Sequence, residues 1–335
     1  MNTIIKDKIL IHMLDMEHSR VILSDTFVDL ETSDLEYYDK KIEKTLQSSS
    51  IKELVVGSEH HLLLAAKKML ESDEEFINQA AKIANELFMV VKNVEEMPNS
   101  NLMFVECKVD GVKHILILKL NYKLTPVSVM EEDEDGKRSI RFTIKQLLPS
   151  KGLNVDEAII INTDDNKISY IEKRVMIDGK PGYYLNEQYI KGENKKSDKE
   201  KMNAINKVVK RLDSAYNAVD GEPVPAIKKE IVDCIVEHKP IKPVDVVKKI
   251  VSKDIQAVEE VEENMADIGI TSEDEIINLP VSLDRMSRCK LVLDDDKVIE
   301  LNTEDYLNND DVIKETGIDG TTTITLKNIH EIKIK

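Results

Sequence analysis

The stretch 102–123, LMFVECKVDGVKHILILKLNYK, constrains the fold of this chain most strongly. Two β-rich runs flank Asp110-Gly111, and a two-residue Asp-Gly loop is typical of a type I′ hairpin turn, which needs positive φ at both central residues. Pairing Val109 with Val112 makes both faces apolar in the middle, so the sequence predicts a central hairpin. Because like charges across a ladder are unfavourable unless water screens them, we expect the end near the turn to reach solvent. The predicted register pairs Cys107 with His114, Val105 with Leu116, Met103 with Leu118, and Lys108 with Lys113.

The segments around this hairpin predict an α+β first domain over residues 1–190. Residues 4–14 and 20–23 favour a strand pair, and two helices are expected over 33–47, with Ser33 as N-cap, and over 58–70. A third helix follows, since apolar residues from Phe76 to Val91 recur at helical spacing. Strands then alternate with turns to about residue 190. Strands, helices and an antiparallel meander in that order indicate a mixed, mainly antiparallel sheet with helices.

A polar run, GENKKSDKEK, begins at Gly192 and indicates a boundary before a second domain over residues 191–335. Amphipathic periodicity and helix-starting prolines predict four helices there. The chain ends in strands, a hairpin over 289–301 followed by TTTITL and IHEIKIK, so we expect a helical segment with a small C-terminal β element. The four predicted helices span 197–219, 225–237, 243–252 and 254–268.

The composition, 41% hydrophobic and 33% charged, is that of a soluble globular protein. No run of about 18 apolar residues occurs, and no signal peptide begins the chain. We therefore expect a cytoplasmic protein that makes no membrane contact. Three scattered cysteines, Cys107, Cys234 and Cys289, form no CxxC motif, so buried reduced thiols are expected rather than disulfides or zinc ligands.

Charge is segregated along the second domain. The formal net charge of −17 argues against a protein that coats DNA, because non-specific affinity comes from basic side chains that release phosphate counterions. However, residues 191–211 hold eight Lys/Arg and three Asp/Glu, a balance of +5, and residues 239–253 hold five and one, a balance of +4. Residues 254–275 hold nine acids and no base. The basic segments are either phosphate-binding surfaces or solvated helix faces. The candidate DNA-binding residues are Lys195, Lys196, Lys199, Lys207, Lys210, Arg211, Lys248, Lys249 and Lys253.

The kinds of residue present limit which nucleic acid could bind. Only seven arginines occur, and lysine acts on phosphate as a point charge, whereas base readout leans on arginine forks. Binding without strong sequence preference is therefore favoured. With no tryptophan and 4% aromatic residues, the chain has few stacking platforms for single strands, which disfavours RNA or single-stranded DNA.

Four further segments, together with the ILKLNYK return strand of the hairpin, carry a resemblance. They are ILIHMLD at 9–15, LSD at 23–25, LLPSKGLNVDEAIIIN at 147–162 and MIDGKPGYYLNEQYI at 176–190. Over most of residues 1–190, the chain resembles the bacterial nucleoid-associated protein family (NdpA-like). The resemblance implies association with the bacterial chromosome. The leading hypothesis is thus a non-enzymatic nucleoid protein that binds duplex DNA through its lysines. The alternative is an adaptor that joins other nucleoid proteins by protein contacts.

Two narrower alternatives concern local motifs. The helix, HKPIK turn and helix over 225–252 could form a helix-turn-helix with the lysines at 248, 249 and 253 towards a groove. Glu106-Cys107-Lys108 has the E-x-K spacing of metal-dependent nucleases, but the sequence places no second metal-binding acid beside it.

The remaining polar clusters have structural interpretations. His60 and His61 should point about 100° apart on a helix, which is wrong for two ligands of one metal. EEDED at 131–135 and DDD at 294–296 are typical of solvated turns, and the latter lacks the glycine and distal glutamate of a calcium loop. No nucleotide-binding or hydrolase motif occurs, so no catalytic residue, metal or cofactor is predicted.

Overall fold

The computed structural model describes residues 4–31, 35–132, 136–192, 195–294, 297–307 and 311–331. The chain divides into two compact units, Met1–Lys195 and Lys196–Lys335. The division falls within the polar run that begins at Gly192. Each unit has its own hydrophobic core.

The first unit is built on an antiparallel sheet of seven strands in the order β2-β1-β4-β5-β8-β9-β3. This confirms the predicted α+β class. Its elements are β1 (Ile4–Asp15), β2 (Arg20–Ile22), α1 (Leu35–Leu46), β3 (Lys52–Val55), α2 (His61–Met69), α3 (Asp73–Val91), β4 (Ser100–Val109), β5 (Val112–Asn121), β6 (Lys123–Glu132), β7 (Arg138–Leu147), β8 (Glu157–Asn162), β9 (Lys167–Ile171), β10 (Val175–Ile177), β11 (Lys180–Gly182) and a π-helix (Leu185–Ile190).

The hairpin formed by β4 and β5 has the predicted position and register. Asp110 and Gly111 have φ values of 50° and 86°, and Val109 pairs with Val112. Alternate residues of β4 enter two different cores. Phe104 packs in the core that includes α2 and α3, whereas Val105 packs in the core on the other side, with Ile42 of α1. Helices therefore cover both faces of the sheet, which is why both faces of the hairpin are apolar.

Two local details differ from the prediction, and a third falls outside the described residues. Strand β3 was not predicted; it pairs with β9, more than a hundred residues later. Helix α2 begins at His61, not near residue 58, because the His60 side chain caps it by accepting from the Leu62 backbone N–H. The predicted cap Ser33 lies outside the described residues.

The second unit confirms the four predicted helices and the first C-terminal hairpin. The predicted closing strand IHEIKIK is wrong for its described residues, 329–331, which lie outside any strand; residues 332–335 are not described. TTTITL instead pairs with an earlier strand. The elements are α4 (Asp198–Tyr216), α5 (Pro223–Val236), α6 (Pro243–Ile250), α7 (Ile255–Ala266), α8 (Leu283–Met286), β12 (Arg288–Leu293), β13 (Lys297–Asn302), α9 (Thr303–Leu307), β14 (Val312–Thr316) and β15 (Thr322–Leu326).

Candidate nucleic-acid interface

Helix α4 carries the larger of the two basic segments, and its start is fixed by local chemistry. Ser197 accepts a hydrogen bond from the Glu200 backbone N–H, and the Glu200 carboxylate accepts one from the Ser197 backbone, so the two residues form a capping box. The helix ends at Tyr216, three residues before the predicted limit, because Asn217 adopts a left-handed conformation with φ 49°.

One face of α4 is buried and the opposite face is basic. Apolar residues from Met202 to Leu212 pack against α5, α6 and α7. The opposite face is exposed, and four of its side chains are basic, with Asn203 between Lys199 and Lys207. Within the described part of the chain, none of these basic groups lies within ion-pair distance of a carboxylate. We call this set, Lys199, Lys207, Lys210 and Arg211, the α4 stripe.

The acidic side chains of α4 accept hydrogen bonds from backbone N–H groups. Asp198 accepts hydrogen bonds from the Ile277 and Asn278 backbone N–H groups, at 3.1 and 2.7 Å. Asp213 accepts one from the Val219 backbone at 3.0 Å. In the described chain these carboxylates, like that of Glu200 in the cap, form no ion pair with the α4 stripe, and Asp198 instead lies 3.6 Å from Lys201.

The two lysines before α4 are placed differently from the stripe. Lys195 is exposed and Lys196 is half-buried. Both precede the N-cap Ser197, so they lie before helix α4.

The second basic segment, around α6, is neutralised by acids from other elements. Lys248 is ion-paired with Glu262 of α7, and the bond lowers the pKa of that carboxyl. Lys249 lies 2.7 Å from Glu230 of α5, and this hydrogen bond raises the pKa of the lysine. The third lysine, Lys253, has Asp220 at 3.6 Å. Within the described ranges, the nine predicted residues thus divide into a group without ion pairs, on and before α4, and a paired group, on and after α6.

The same contacts weaken the helix-turn-helix interpretation. Helix α6 has only eight residues, buries Val244, Val246 and Val247, and packs against α4, α5 and α7. Its lysines are held by neighbouring helices, so α6 does not present a free basic face to a DNA groove.

The nuclease interpretation also loses its basis. Glu106 is buried on β4, where Lys8 and Lys113 approach its carboxylate at 3.4 and 3.8 Å, and Lys108 instead faces Asp7 at 3.9 Å. Among the described residues, no three His, Cys, Asp or Glu side chains are grouped to hold a metal ion. Glu106 therefore balances lysines within the sheet.

The paired histidines have a structural arrangement that the sequence did not predict. Their rings stack, with centroids 4.7 Å apart, because His60 lies at the cap of α2 and not within the helix. His60 Nε2 lies 3.0 Å from the Ile190 carbonyl, while Nδ1 accepts from Leu62, so Nε2 carries the proton. Burial lowers the pKa of His61.

All three cysteines are free and buried, as predicted, and burial raises the pKa of Cys107 to about 12.

The two acidic segments lie at exposed positions where the structure describes them. In segment 131–135, Glu131 and Glu132 are exposed and ion-paired with Arg141 and Arg138, and residues 133–135 lie outside the described residues. Asp294 has a turn conformation with φ 47°, and 295–296 are not described.

None of the described helices is long and apolar enough to cross a membrane.

Sequence comparison places the chain in a family. No protein among the curated ones compared with the chain matches it significantly. The family described as nucleoid-associated protein YejK matches residues 10–333, nearly the whole chain. The chain therefore belongs to this family of bacterial nucleoid-associated proteins.

Proposed function

We propose that this nucleoid protein binds duplex DNA directly, without strong sequence preference, through contacts between the α4 stripe and backbone phosphates. The observation that carries the proposal is the separation of charge in the second unit. Among the described residues, the α4 stripe is exposed and forms no ion pair, although the whole chain has a net charge of −17.

The stripe has the dimensions of a phosphate-binding surface. From residue 199 to residue 211 a helix rises about 18 Å, which is roughly half a turn of B-DNA. Three of its four charges are lysines, which bind phosphate as point charges and read no base. Phosphate binding by ammonium and guanidinium groups needs no chemical step, so the proposal includes no enzymatic activity.

The other predicted residues have secondary roles in this proposal. Lys195 and Lys196 extend the positive charge before the helix. Lys248, Lys249 and Lys253 would have to leave their carboxylate partners to contact phosphate, and the loss of those pairs offsets the gain. We therefore expect them to add little to affinity.

The test is duplex DNA binding, measured by fluorescence anisotropy between about 50 and 200 mM salt. One variant changes the whole α4 stripe to glutamine, and a matched control changes Lys248, Lys249 and Lys253 to glutamine. Each phosphate contact contributes about −0.9 to the slope of log K against log salt, so four contacts give about −3.6 and a roughly 150-fold loss over this range. The stripe variant should remove most of that slope, and the control should change it by less than about one unit.

Two duplexes of unrelated sequence test the absence of sequence preference and should bind within a few-fold of each other. Equal losses of DNA affinity in the stripe variant and in the control variant would show that the α4 stripe is not the main contact. The absence of any binding at low salt would refute direct binding. It would favour the adaptor alternative, in which the protein reaches the nucleoid through a protein partner.

A further inference from the structure

Strands β6 and β7 form a long hairpin that stands apart from the seven-stranded sheet. It is a separate two-stranded sheet of ten rungs, from Lys123 paired with Leu147 to Glu132 paired with Arg138. In the described chain, no other strand or helix packs extensively on it. We call this hairpin the arm.

Alternation along the two strands makes one face of the arm apolar. The rungs Pro126 with Ile144 and Met130 with Ile140 lie on this face, with Ser128 opposite Phe142 between them. Five of its large side chains are between 63% and 79% exposed, whereas the threonines and valines in the middle of the opposite face are half-buried. The apolar face consists of Leu124, Pro126, Met130, Ile140, Phe142 and Ile144.

The base of the arm is held firmly to the first unit. The Tyr122 backbone N–H donates to the Asn99 carbonyl at 2.8 Å, and the Tyr37 hydroxyl donates to the Pro149 carbonyl at 3.0 Å. The fully buried Lys41 donates to the Ser150 and Leu153 carbonyls at 2.8 and 2.9 Å. These contacts fix both ends of the base of the arm to the first unit.

We propose that the apolar face of the arm is a homodimer interface, covered by the same face of a second copy of the chain. An isolated two-stranded hairpin is marginally stable in water, and an apolar face needs another layer to cover it. A surface without charge in its middle rungs suits an identical apolar surface, and two-fold symmetry joins like patches.

The area agrees with this assignment. Full burial of one large apolar side chain removes about 60–120 Å² from water, so the five exposed ones and Pro126 offer about 300–500 Å² per copy. A stable interface covers about 800 Å² per partner, of which about two thirds is apolar in homodimers. The apolar face thus supplies most of the apolar area that a dimer needs, and the polar edges of the arm supply the rim.

The attachment of the arm selects between the two symmetric arrangements. Arms lying in the same direction would bring the two first units, which continue from the base of each arm, to the same end of the interface. Arms lying in opposite directions place them at opposite ends and bring Phe142 of each copy beside the partner's Phe142, near the two-fold axis. We therefore assign the antiparallel arrangement.

Duplex DNA does not fit the apolar face. The one cation on it, Arg138, is ion-paired with Glu132 at 3.0 Å, and the remaining positions offer phosphate no donor beyond Ser128 and Gln146. A peptide added as an extra strand would pair with an edge of the arm and leave the face uncovered.

The first test is the mass of the full-length protein in solution, from light scattering at micromolar concentration without DNA. The chain has a mass of 38.1 kDa, so a dimer has 2 × 38.1 = 76.2 kDa. Changing Ile140, Phe142 and Ile144 to threonine, which keeps β-propensity, should give the monomer mass. The matched control changes Arg141 and Lys145, on the opposite face of the same strand, to threonine and should stay dimeric.

A cysteine at the proposed axis tests the arrangement. Phe142→Cys should form an intermolecular disulfide under mild oxidation, and Lys145→Cys should not; the three native cysteines are buried and give little background. A monomeric wild-type protein would overturn the proposal, and so would a dimer that the threonine variant leaves intact. A monomer whose apolar face binds a different protein would identify the arm as an adaptor surface.

Discussion

The buried ion pair between Lys119 and Glu157 allows a sharp prediction about the central sheet. Lys119 on β5 and Glu157 on β8 lie opposite each other, with Nζ and Oε2 2.6 Å apart and side chains only 5% and 2% exposed. Nζ also donates to Asn121 Oδ1 at 2.6 Å. Lys119→Met keeps most of the side-chain volume and removes the charge.

The expected cost follows from what remains in the variant. Glu157 keeps a long contact from the Asn121 side chain at 3.4 Å and lies beside the buried Tyr184 hydroxyl, but neither neutral group replaces the charge of the ammonium. A carboxylate left unpaired in a buried site destabilises a fold by about 3–5 kcal/mol. Replacing both partners by apolar residues is often neutral or stabilising, so Lys119→Met with Glu157→Leu should recover most of that loss.

The measurement must be local, since a chain with two compact units does not guarantee two-state unfolding. Hydrogen exchange of the β5 and β8 amides reports the free energy of opening of this part of the sheet, and urea unfolding followed by circular dichroism reports the whole chain. The single variant should lower the protection of these amides by about 3–5 kcal/mol.

The control is Lys123→Met, which breaks a pair of similar length in a more exposed place. Lys123 lies 3.1 Å from Asp156, but its side chain is 43% exposed, so the loss should stay below about 1 kcal/mol. A Lys119→Met cost below about 1 kcal/mol would refute the argument that Glu157 is left without solvation. The argument would also be refuted if the double variant Lys119→Met with Glu157→Leu lost as much stability as the two single variants lose together.

Three further outcomes follow from local geometry. Gly111→Ala should destabilise the protein by about 1 kcal/mol, because Gly111 has φ 86°; Gly152→Ala, which meets open space without positive φ, is the control in the same urea titration. Ser197→Ala should cost about 1 kcal/mol by removing a helix cap, whereas Ser214→Ala within the same helix should be nearly neutral in thermal unfolding. Burial lowers the pKa of His12 below the ordinary histidine value of 6.5, so below pH 6.5 the unfolded chain binds more protons than the folded protein. The free energy of unfolding should therefore fall as the pH drops below 6.5, and it should fall less steeply in the His12→Asn variant.

The sequence predicts best where local chemistry decides the structure. The Asp-Gly turn sets the register of β4 and β5, and each rung follows from it. In contrast, β3 has four residues and depends on pairing with β9, a contact that no local pattern encodes. His60 shows the same limit on a smaller scale, because its role as a cap depends on where the helix begins.

In the candidate interface, too, the features set by one segment were predictable from the sequence, and the contacts between segments were not. Periodicity within one helix was enough to predict that α4 has a buried apolar face and an exposed face with Lys199, Lys207 and Lys210, since the two faces alternate along a single segment. The pairing of Lys249 with Glu230 and of Lys248 with Glu262 joins different helices, so it needs the tertiary structure. The acidic run directly after the second basic segment was the one signal in the sequence that such neutralisation could occur.

The contrast between a basic stripe and an acidic chain has a measurable consequence for the proposed interface. At about 0.15 M salt the Debye length is about 8 Å, so DNA at the α4 stripe experiences mainly the charges within about that distance and little of the acids beyond it. At about 0.01 M salt it is about 30 Å, and the net charge of −17 then repels the duplex as well. Affinity should therefore rise steeply as salt falls through the physiological range and flatten at the lowest concentrations. A basic DNA-binding protein is the comparison, since its plot of log K against log salt should stay straight. A straight line for this protein would show that DNA contacts a surface whose surroundings are positive, and that the acids lie too far away to act.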